Sequence, residues 1–512
     1  MSTNARKLVS GSALRVVNVA ATALVSLLIM PFVIRALGDR MYGLWTLVAT
    51  FIGYYGVLEL GLNTAVTRYL AKSLSARQLE DCNGVFNTSL RIYLGLGVLV
   101  LAVAGASAAL APHFCKSRED ASLFSAVILI MGMSLALQFP GRVFTGALEA
   151  NLRFDQTAIF DILGLVLRTG LVVGALLLGY KVVALAWATL LAAIPPIALS
   201  VRYTFKELPF LRLESRYWGV GTAKMLFSYS VYSLIASLAN ILRFQVDSIV
   251  VASFIGLAAV THYRIAGAFA QYFFLFMTSL MGVFPSVFSR QEGVQDHQAI
   301  EKTFFFATKI ALCITCFICF GMIAWGAAFI KRWIGPSYLD AYPVLVVLMI
   351  SWTINLWQGP AASLLYGVSR HRFIAILNTA EGVVNLGLSL WLVRIYGMLG
   401  VALGTLLPMI FARMVIQPAY VCRVLGIVPR DYARRIAPTL GVIAAALLLP
   451  LALSIRFVKP DYVSLLLVGS ASALSYVFML WKFALTTGES RMIWRALMPR
   501  IAVTPSAQEV SS

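Results

Sequence analysis

Acidic side chains are scarce in this 512-residue sequence, where 21 Asp and Glu stand against 41 Lys and Arg. Charge of either sign amounts to 12% of residues and hydrophobic side chains to 60%. That balance excludes a soluble globular domain, whose surface must be largely polar to stay in water. Cysteine is equally sparse, and of the six only Cys115 falls in an expected external loop, so no disulfide framework is expected. Cys313, Cys316 and Cys319 follow one another at helical spacing inside an apolar run with no histidine nearby. Small buried side chains explain them better than a metal site. The four histidines lie at expected loops or span ends without metal spacing, and neither metal nor cofactor is expected. No G-x-x-x-x-G-K-[ST] segment occurs, which counts against ATP-driven work by this chain alone.

What the sequence has instead is apolar length. Mean hydropathy is +0.86, and apolar runs near or above the ~20 residues that cross a hydrocarbon core recur from end to end. Cut at charged or Gly/Pro-marked breaks, they predict an all-α polytopic membrane protein of about fourteen transmembrane helices, from 10–36 to 462–485. The first run follows Arg6 and Lys7 and continues past Arg15 and Asn18 to Ile34, too long for a signal peptide, so it is read as an uncleaved span. The formal charge of +20 would suggest a nucleic-acid partner in a soluble protein. Here its placement matters more, and no nucleic acid is expected. With the N-terminus inside, cytoplasmic segments hold 22 Lys and Arg, external loops 9 and spans 10. The positive-inside rule therefore places both termini in the cytoplasm.

The chain also repeats itself. Gly146–Phe154 (GALEANLRF) is similar to Leu364–Phe373 (LLYGVSRHRF), and each follows a proline, Pro140 and Pro360. Val183 to Ala186 matches Val401 to Gly404 at an offset of 218, the offset that also separates Gly38 from Gly256. Six spans separate the copies, an even number, so the halves run parallel. The expected organisation is a six-helix bundle over 1–202, a cytoplasmic linker over 203–221 and a second six-helix bundle over 222–421. Two further helices occupy 437–485, and a disordered cytoplasmic tail 486–512.

Leu37-Gly38-Asp39-Arg40-Met41-Tyr42-Gly43-Leu44-Trp45, then Leu58-Glu59-Leu60-Gly61-Leu62 and Thr67-Arg68-Tyr69-Leu70-Ala71, resemble the first hairpin of bacterial polysaccharide exporters. These are the oligosaccharide flippases, O-antigen flippases among them, of the multidrug/oligosaccharidyl-lipid/polysaccharide superfamily. Gly146 to Leu191, with Arg153-Phe154 and Gly179-Tyr180, resembles that family too, and the likeness covers most of residues 10–421. It implies two bundles facing a central cavity with alternating access in a bacterial inner membrane. The implied cargo is a polyprenyl-diphosphate-linked glycan (an O-antigen or exopolysaccharide repeat unit) flipped from cytoplasmic to external leaflet. Membrane lipid, a glycan polymerase and export machinery are the implied partners. Fourteen spans also resemble the lipid II flippases, so that cargo stays open, as does a multidrug/cation antiporter. A membrane-embedded glycan polymerase is disfavoured, because its catalytic residues generally occupy sizeable external loops and those here are short. The chain is read as a transporter and not an enzyme.

Charged groups within spans cost at least ~2.5–3.5 kcal/mol each on insertion scales and usually face a bundle interior or wet cavity. The cavity-lining candidates are Arg15, Asn18, Glu59, Asn63, Arg142, Asp161, Arg168, Asn240, Arg243, Asp247, Arg264, Glu381, Asn385 and Arg413. Arg35, Arg68, Arg91 and Lys309 lie near span ends, where snorkelling explains them. Steps of three and four form polar stripes: Tyr55, Glu59, Asn63 and Thr67; Thr157, Asp161, Gly164 and Arg168; Asn378, Glu381, Asn385 and Ser389. Arg243 and Asp247, one turn apart, are an expected ion pair. For Ser, Thr and Asn, hydrogen bonds between helices are the competing explanation. Arginine in excess of acid favours an anionic diphosphate over a cationic drug, because guanidinium grips phosphate oxygens bidentately. Moving two negative charges outward across ~100 mV, negative inside, would release about 4–5 kcal/mol.

Overall fold

A computed structural model describes residues 3–59, 62–114, 117–228, 246–282, 284–486 and 488–490 of the chain. Helix is the only regular secondary structure among them. The first part holds α1 (Thr3–Tyr55), α2 (Leu62–Ser75), α3 (Leu79–Ala109), α4 (Arg118–Ala150), α5 (Phe154–Leu177) and α6 (Val182–Glu207). There follow α7 (Val246–Phe254), α8 (Leu257–Met281), α9 (Phe284–Gly293), α10 (His297–Trp333), α11 (Ala341–Trp357) and α12 (Gly359–Gly367). The series ends with α13 (His371–Tyr396), α14 (Met398–Phe411), a π-turn at Ala412–Ile416, α15 (Gln417–Leu425), α16 (Pro429–Phe457) and α17 (Tyr462–Phe483). Ten helices among the described residues are long and apolar enough to cross a membrane. The chain is an all-α, multi-pass membrane protein, as only helices and closed barrels satisfy every backbone group in lipid.

The apolar run over 43–70 is expected to be a single span, and the structure corrects this. Residues 43–70 do not form one helix: α1 ends at Tyr55, a 3₁₀ turn covers Gly56–Glu59, and α2 begins at Leu62. Gly56 opens the turn, and a glycine weakens a helix by about 1 kcal/mol relative to alanine. The stripe of Tyr55, Glu59, Asn63 and Thr67 therefore crosses three elements. The prolines that precede the two similar loops also differ in setting. Pro140 lies inside the continuous α4, whereas Pro360 sits at the start of α12, where its missing N–H leaves no bond unmade.

Left-handed turns recur at a nearly constant distance along the chain. Gly38 and Gly256, Arg77 and Gln295, and Gly179 and Gly397 all have positive φ and stand 218 residues apart. Leu152 and Ser369, inside the two similar loops, do so 217 apart. Gly38 (φ 75°, ψ 166°) kinks the long α1 where the first hairpin turns. Arg40, just beyond it, holds Asp120 (2.7 Å), Glu119 (3.1 Å) and Ser117 (3.1 Å) at the start of α4.

Packing divides the chain into two compact units, residues 1–268 with 375–408 and residues 269–374 with 409–512. In the first, α3 and α4 approach through small residues: a Cβ on Gly97 would stand 2.9 Å from the Ala136 carbonyl oxygen. Close approach of this kind replaces the hydrophobic drive that lipid cannot supply. Phe86, Tyr93, Phe124 and Phe139 are fully buried there. The second unit is built around Phe288, Phe304, Leu364, Leu365 and Val421.

The expected linker is tied down by side chains of α3. Asn83 accepts from Arg212 N (2.7 Å) and donates to Phe210 O (3.2 Å), while Asn87 accepts from Glu214 N (3.1 Å) and donates to Arg212 O (2.7 Å). Thr88 accepts from Gly219 N at 3.2 Å. Asparagine side chains here imitate the edge of a strand, satisfying backbone that has no helix of its own. Asn87→Leu should strand two backbone groups at roughly 1–3 kcal/mol each. Faster limited proteolysis between 210 and 219, with the remaining chain intact, is the expected readout; an unchanged rate would deny the linker this anchor.

Candidate functional site

A cavity of about 430 Å³ opens in the first unit between α4, α5 and α6, with Thr22 of α1 on its wall. The α5 stripe supplies Asp161, Gly164 and Arg168; α4 supplies Gln138, Arg142 and Thr145; α6 supplies Thr189 and Ser200. Three expected site residues, Arg142, Asp161 and Arg168, thus meet at one wall system. The geometry follows from the helical period, because 161, 164 and 168 fall on one face. Pro196 closes the base: a Cβ on Gly164 would stand 3.2 Å from its Cγ.

Arg142 is oriented by Glu59, whose carboxylate lies 3.2 Å from its Nε. Tyr93 donates to the other carboxylate oxygen of Glu59 at 3.1 Å. The Arg142 side chain remains 42% exposed while Glu59 is 14% exposed. The guanidinium is therefore steered by a partly buried acid yet keeps donors available. Among the described residues no carboxylate pairs with Arg168. Thr145, Thr189, Ser200 and Gln138 donate to groups of their own helices, so the two guanidiniums, with the Asp161 carboxylate on the same wall, are the charged groups the cavity presents, and guanidinium is the donor suited to anionic oxygens.

A second polar cluster lies in the same unit. Asp247 accepts from Tyr263 (2.6 Å) on α8 and from Thr405 (3.2 Å) on α14. Asn385 on α13 accepts from Ser389 at 2.9 Å and lies 3.4 Å from Thr405 Oγ1. Glu381, one turn before Asn385, is 4% exposed, and Asn385 is 2% exposed. Sequence reasoning found Asp247, Glu381 and Asn385 but missed Tyr263 and Thr405. Thr405 directly follows the Val401–Gly404 segment that is similar to Val183–Ala186, the one local signal that points to it. Arg243, the expected partner of Asp247, lies outside the described residues, as does Asn240.

The remaining candidates disperse. Arg15 and Asn18 fall within α1, but their side chains lie outside the described part. Asn63 and Thr67 face Gly146, 3.2 and 3.3 Å from where its Cβ would be, and both side-chain oxygens are buried without a hydrogen-bond partner. Arg264 is exposed on α8. Arg413 belongs to the second unit, 3% exposed in the π-turn, and donates to Gln417 at 2.5 Å. Gln417 donates to the Gln358 carbonyl (3.2 Å), and Gln358 to Tyr432 (3.3 Å). Lys309 does not snorkel to solvent; it pairs with Glu489 at 2.9 Å. The described cysteines are all unpaired, and no group of His, Cys, Asp or Glu suited to a metal occurs among the described residues.

Helices of this number and arrangement define a class. The backbone is similar to an inward-facing multidrug transporter of the MOP superfamily (TM-score 0.71, 18% identity, 79% of this chain and 94% of that one). It is also similar to the lipid II flippase MurJ in an inward closed conformation (TM-score 0.66, 14% identity, 94% and 99%). The fold is that of a membrane transporter. The family model described as polysaccharide biosynthesis protein matches residues 8–291, and the chain belongs to that family. Among curated proteins it is 20% identical to a putative O-antigen transporter of Shigella flexneri, over 79% of this chain and 96% of that protein.

The hydrogen bonds at Asp247 set an expected order of stability. Asp247→Asn keeps an acceptor for Tyr263 and Thr405 and should unfold near the wild-type temperature in detergent. Asp247→Leu strands two buried hydroxyls at roughly 1–3 kcal/mol each and should melt several degrees lower. Equal melting of the two variants would mean that the cluster carries no structural weight.

Proposed function

We propose that this chain flips a polyprenyl-diphosphate-linked oligosaccharide, an O-antigen or exopolysaccharide repeat unit, from the cytoplasmic to the external leaflet by alternating access. The observation that carries this reading is the cavity lined by Arg142 and Arg168, with one guanidinium aimed by Glu59 and the other lacking a carboxylate partner among the described residues. A diphosphate offers the paired anionic oxygens that such donors fit, and a cationic drug would meet repulsion. Membership of a polysaccharide biosynthesis family and likeness to a putative O-antigen transporter support the glycan cargo. Lipid II is the second reading, favoured by the 94% coverage of this chain in the match to a lipid II flippase. Asp247, ringed by the oxygens of Thr405 and Asn385 and the Tyr263 hydroxyl, is the group best placed to couple a cation.

The proposed architecture is fourteen spans in two parallel six-helix repeats, plus two C-terminal helices, in a bacterial inner membrane. The paired left-handed turns support the repeat. Both termini are proposed to lie inside. Reporter fusions active only outside the membrane should then work at Ser117 and Pro336 and fail at Leu213 and Gly426; activity at Leu213 would reverse the topology.

Arg168→Gln should express normally yet lower surface glycan by about tenfold or more, leaving lipid-linked glycan in the inner leaflet. Arg168→Lys should recover only part, since a point charge replaces a bidentate fork. Neither change should raise ethidium accumulation. Dye accumulation with normal surface glycan would transfer the chain to the antiporters.

A further inference from the structure

A further cavity lies in the second unit, lined by none of the residues assigned to cargo above. It measures about 890 Å³, within the ~300–1,000 Å³ of ligand pockets. Its walls divide by chemistry. Phe284, Val287, Phe306, Leu312 and Ile436 form an apolar side, while Lys302, Lys309 and Arg435 supply three cations. Two carboxylates meet two of them: Glu301 pairs with Arg435, and Glu489 with Lys309 at 2.9 Å. Lys302 is exposed. Thr308, on the wall and 2% exposed, has a buried hydroxyl without a hydrogen-bond partner.

Glu489 stands beyond the last long helix. Thr486 donates to its carboxylate from N (2.8 Å) and Oγ1 (2.9 Å), and Glu489 N donates back to Thr486 Oγ1 (3.3 Å). This is a capping box that carries an anion to Lys309. Burial raises the Glu489 carboxyl, but the Thr486 and Lys309 hydrogen bonds outweigh it and hold the group below its ordinary range. At neutral pH the cation of Lys309 thus faces an internal anion.

We propose that this cavity binds an anionic, phosphate-headed membrane lipid, its acyl chain on the apolar wall and its phosphate among Lys302, Lys309 and Thr308, with Glu489 as the competing internal anion. Basic pockets between membrane helices on the cytoplasmic side bind anionic headgroups in this way, and the orientation proposed above puts this end on that side. Neither the cargo nor the direction of its movement enters the inference.

The full-length purified chain would be titrated with phosphatidylglycerol, phosphatidylcholine, inorganic phosphate and undecaprenyl diphosphate, reading thermal unfolding and lipid retained in native mass spectra. Phosphatidylglycerol should raise the melting temperature and stay bound, whereas phosphatidylcholine and inorganic phosphate should not. Lys302→Gln and Thr308→Val, which break no ion pair, should weaken the response. Glu489→Gln should lower the concentration giving half the response several-fold, even if its own melting temperature falls. Equal responses to the two phospholipids, indifference to Lys302→Gln and Thr308→Val, or a response confined to undecaprenyl diphosphate would each overturn the proposal.

Discussion

A polar group placed within the bilayer is costly unless it finds a partner inside the protein, because hydrocarbon offers none. An unpaired amide or hydroxyl transferred from water costs several kcal/mol, and an isolated charge far more. The positions of Glu59, Arg142, Asp247, Arg413 and Lys309 all follow from that constraint. Each acid and base is answered by a group from another helix or another turn: Tyr93 and Arg142 for Glu59, Tyr263 and Thr405 for Asp247, Gln417 for Arg413, Glu489 for Lys309. Arg168 departs from the pattern among the described residues, and it lines a cavity. A charge without an acid to answer it, held where an anion can reach it, is what a site for anions requires.

The same constraint explains what could be read from the sequence. Apolar runs must span the bilayer, so the all-α membrane class was legible from hydropathy, and ten described helices meet the requirement. The α5 stripe was legible because Asp161, Gly164 and Arg168 sit in one unbroken helix, where spacing fixes direction. The stripe from Tyr55 to Thr67 failed for the converse reason. A 3₁₀ turn opened by Gly56 resets the period, and the hydropathy of the run conceals the break. Partners distant in sequence were not legible at all. Lys309 and Glu489 are 180 residues apart, and Thr405 lies 158 from Asp247. Nothing local announces either pair. The sequence around Lys309 shows a nearby span end, which predicts snorkelling, and does not show its partner.

Asn83, Asn87 and Thr88 illustrate a different limit. Polar residues near the start of α3 with no motif to mark them, they carry the hydrogen bonds of the linker. The linker's charges and Pro209 marked it as irregular, and irregular backbone against a helix must be satisfied by side chains. The left-handed turns show the opposite case. Two short matches in sequence hinted at duplication, and four pairs of positive-φ residues separated by 217 or 218 residues carry the same spacing in backbone conformation. The same backbone conformation recurs with different side chains: Arg77 and Gln295 share a φ but not a chemistry.

The central claim is that guanidinium groups in the first unit receive the anionic head of a lipid-linked glycan. It is tested most directly by the purified chain in proteoliposomes loaded with a fluorescent polyprenyl-diphosphate oligosaccharide, following loss of inner-leaflet label as the glycan reaches an external quencher. The account predicts translocation by the wild-type chain, its loss in Arg142→Gln/Arg168→Gln, and no competition from ethidium. Translocation at the wild-type rate by that double variant, in protein of normal thermal stability, would contradict it.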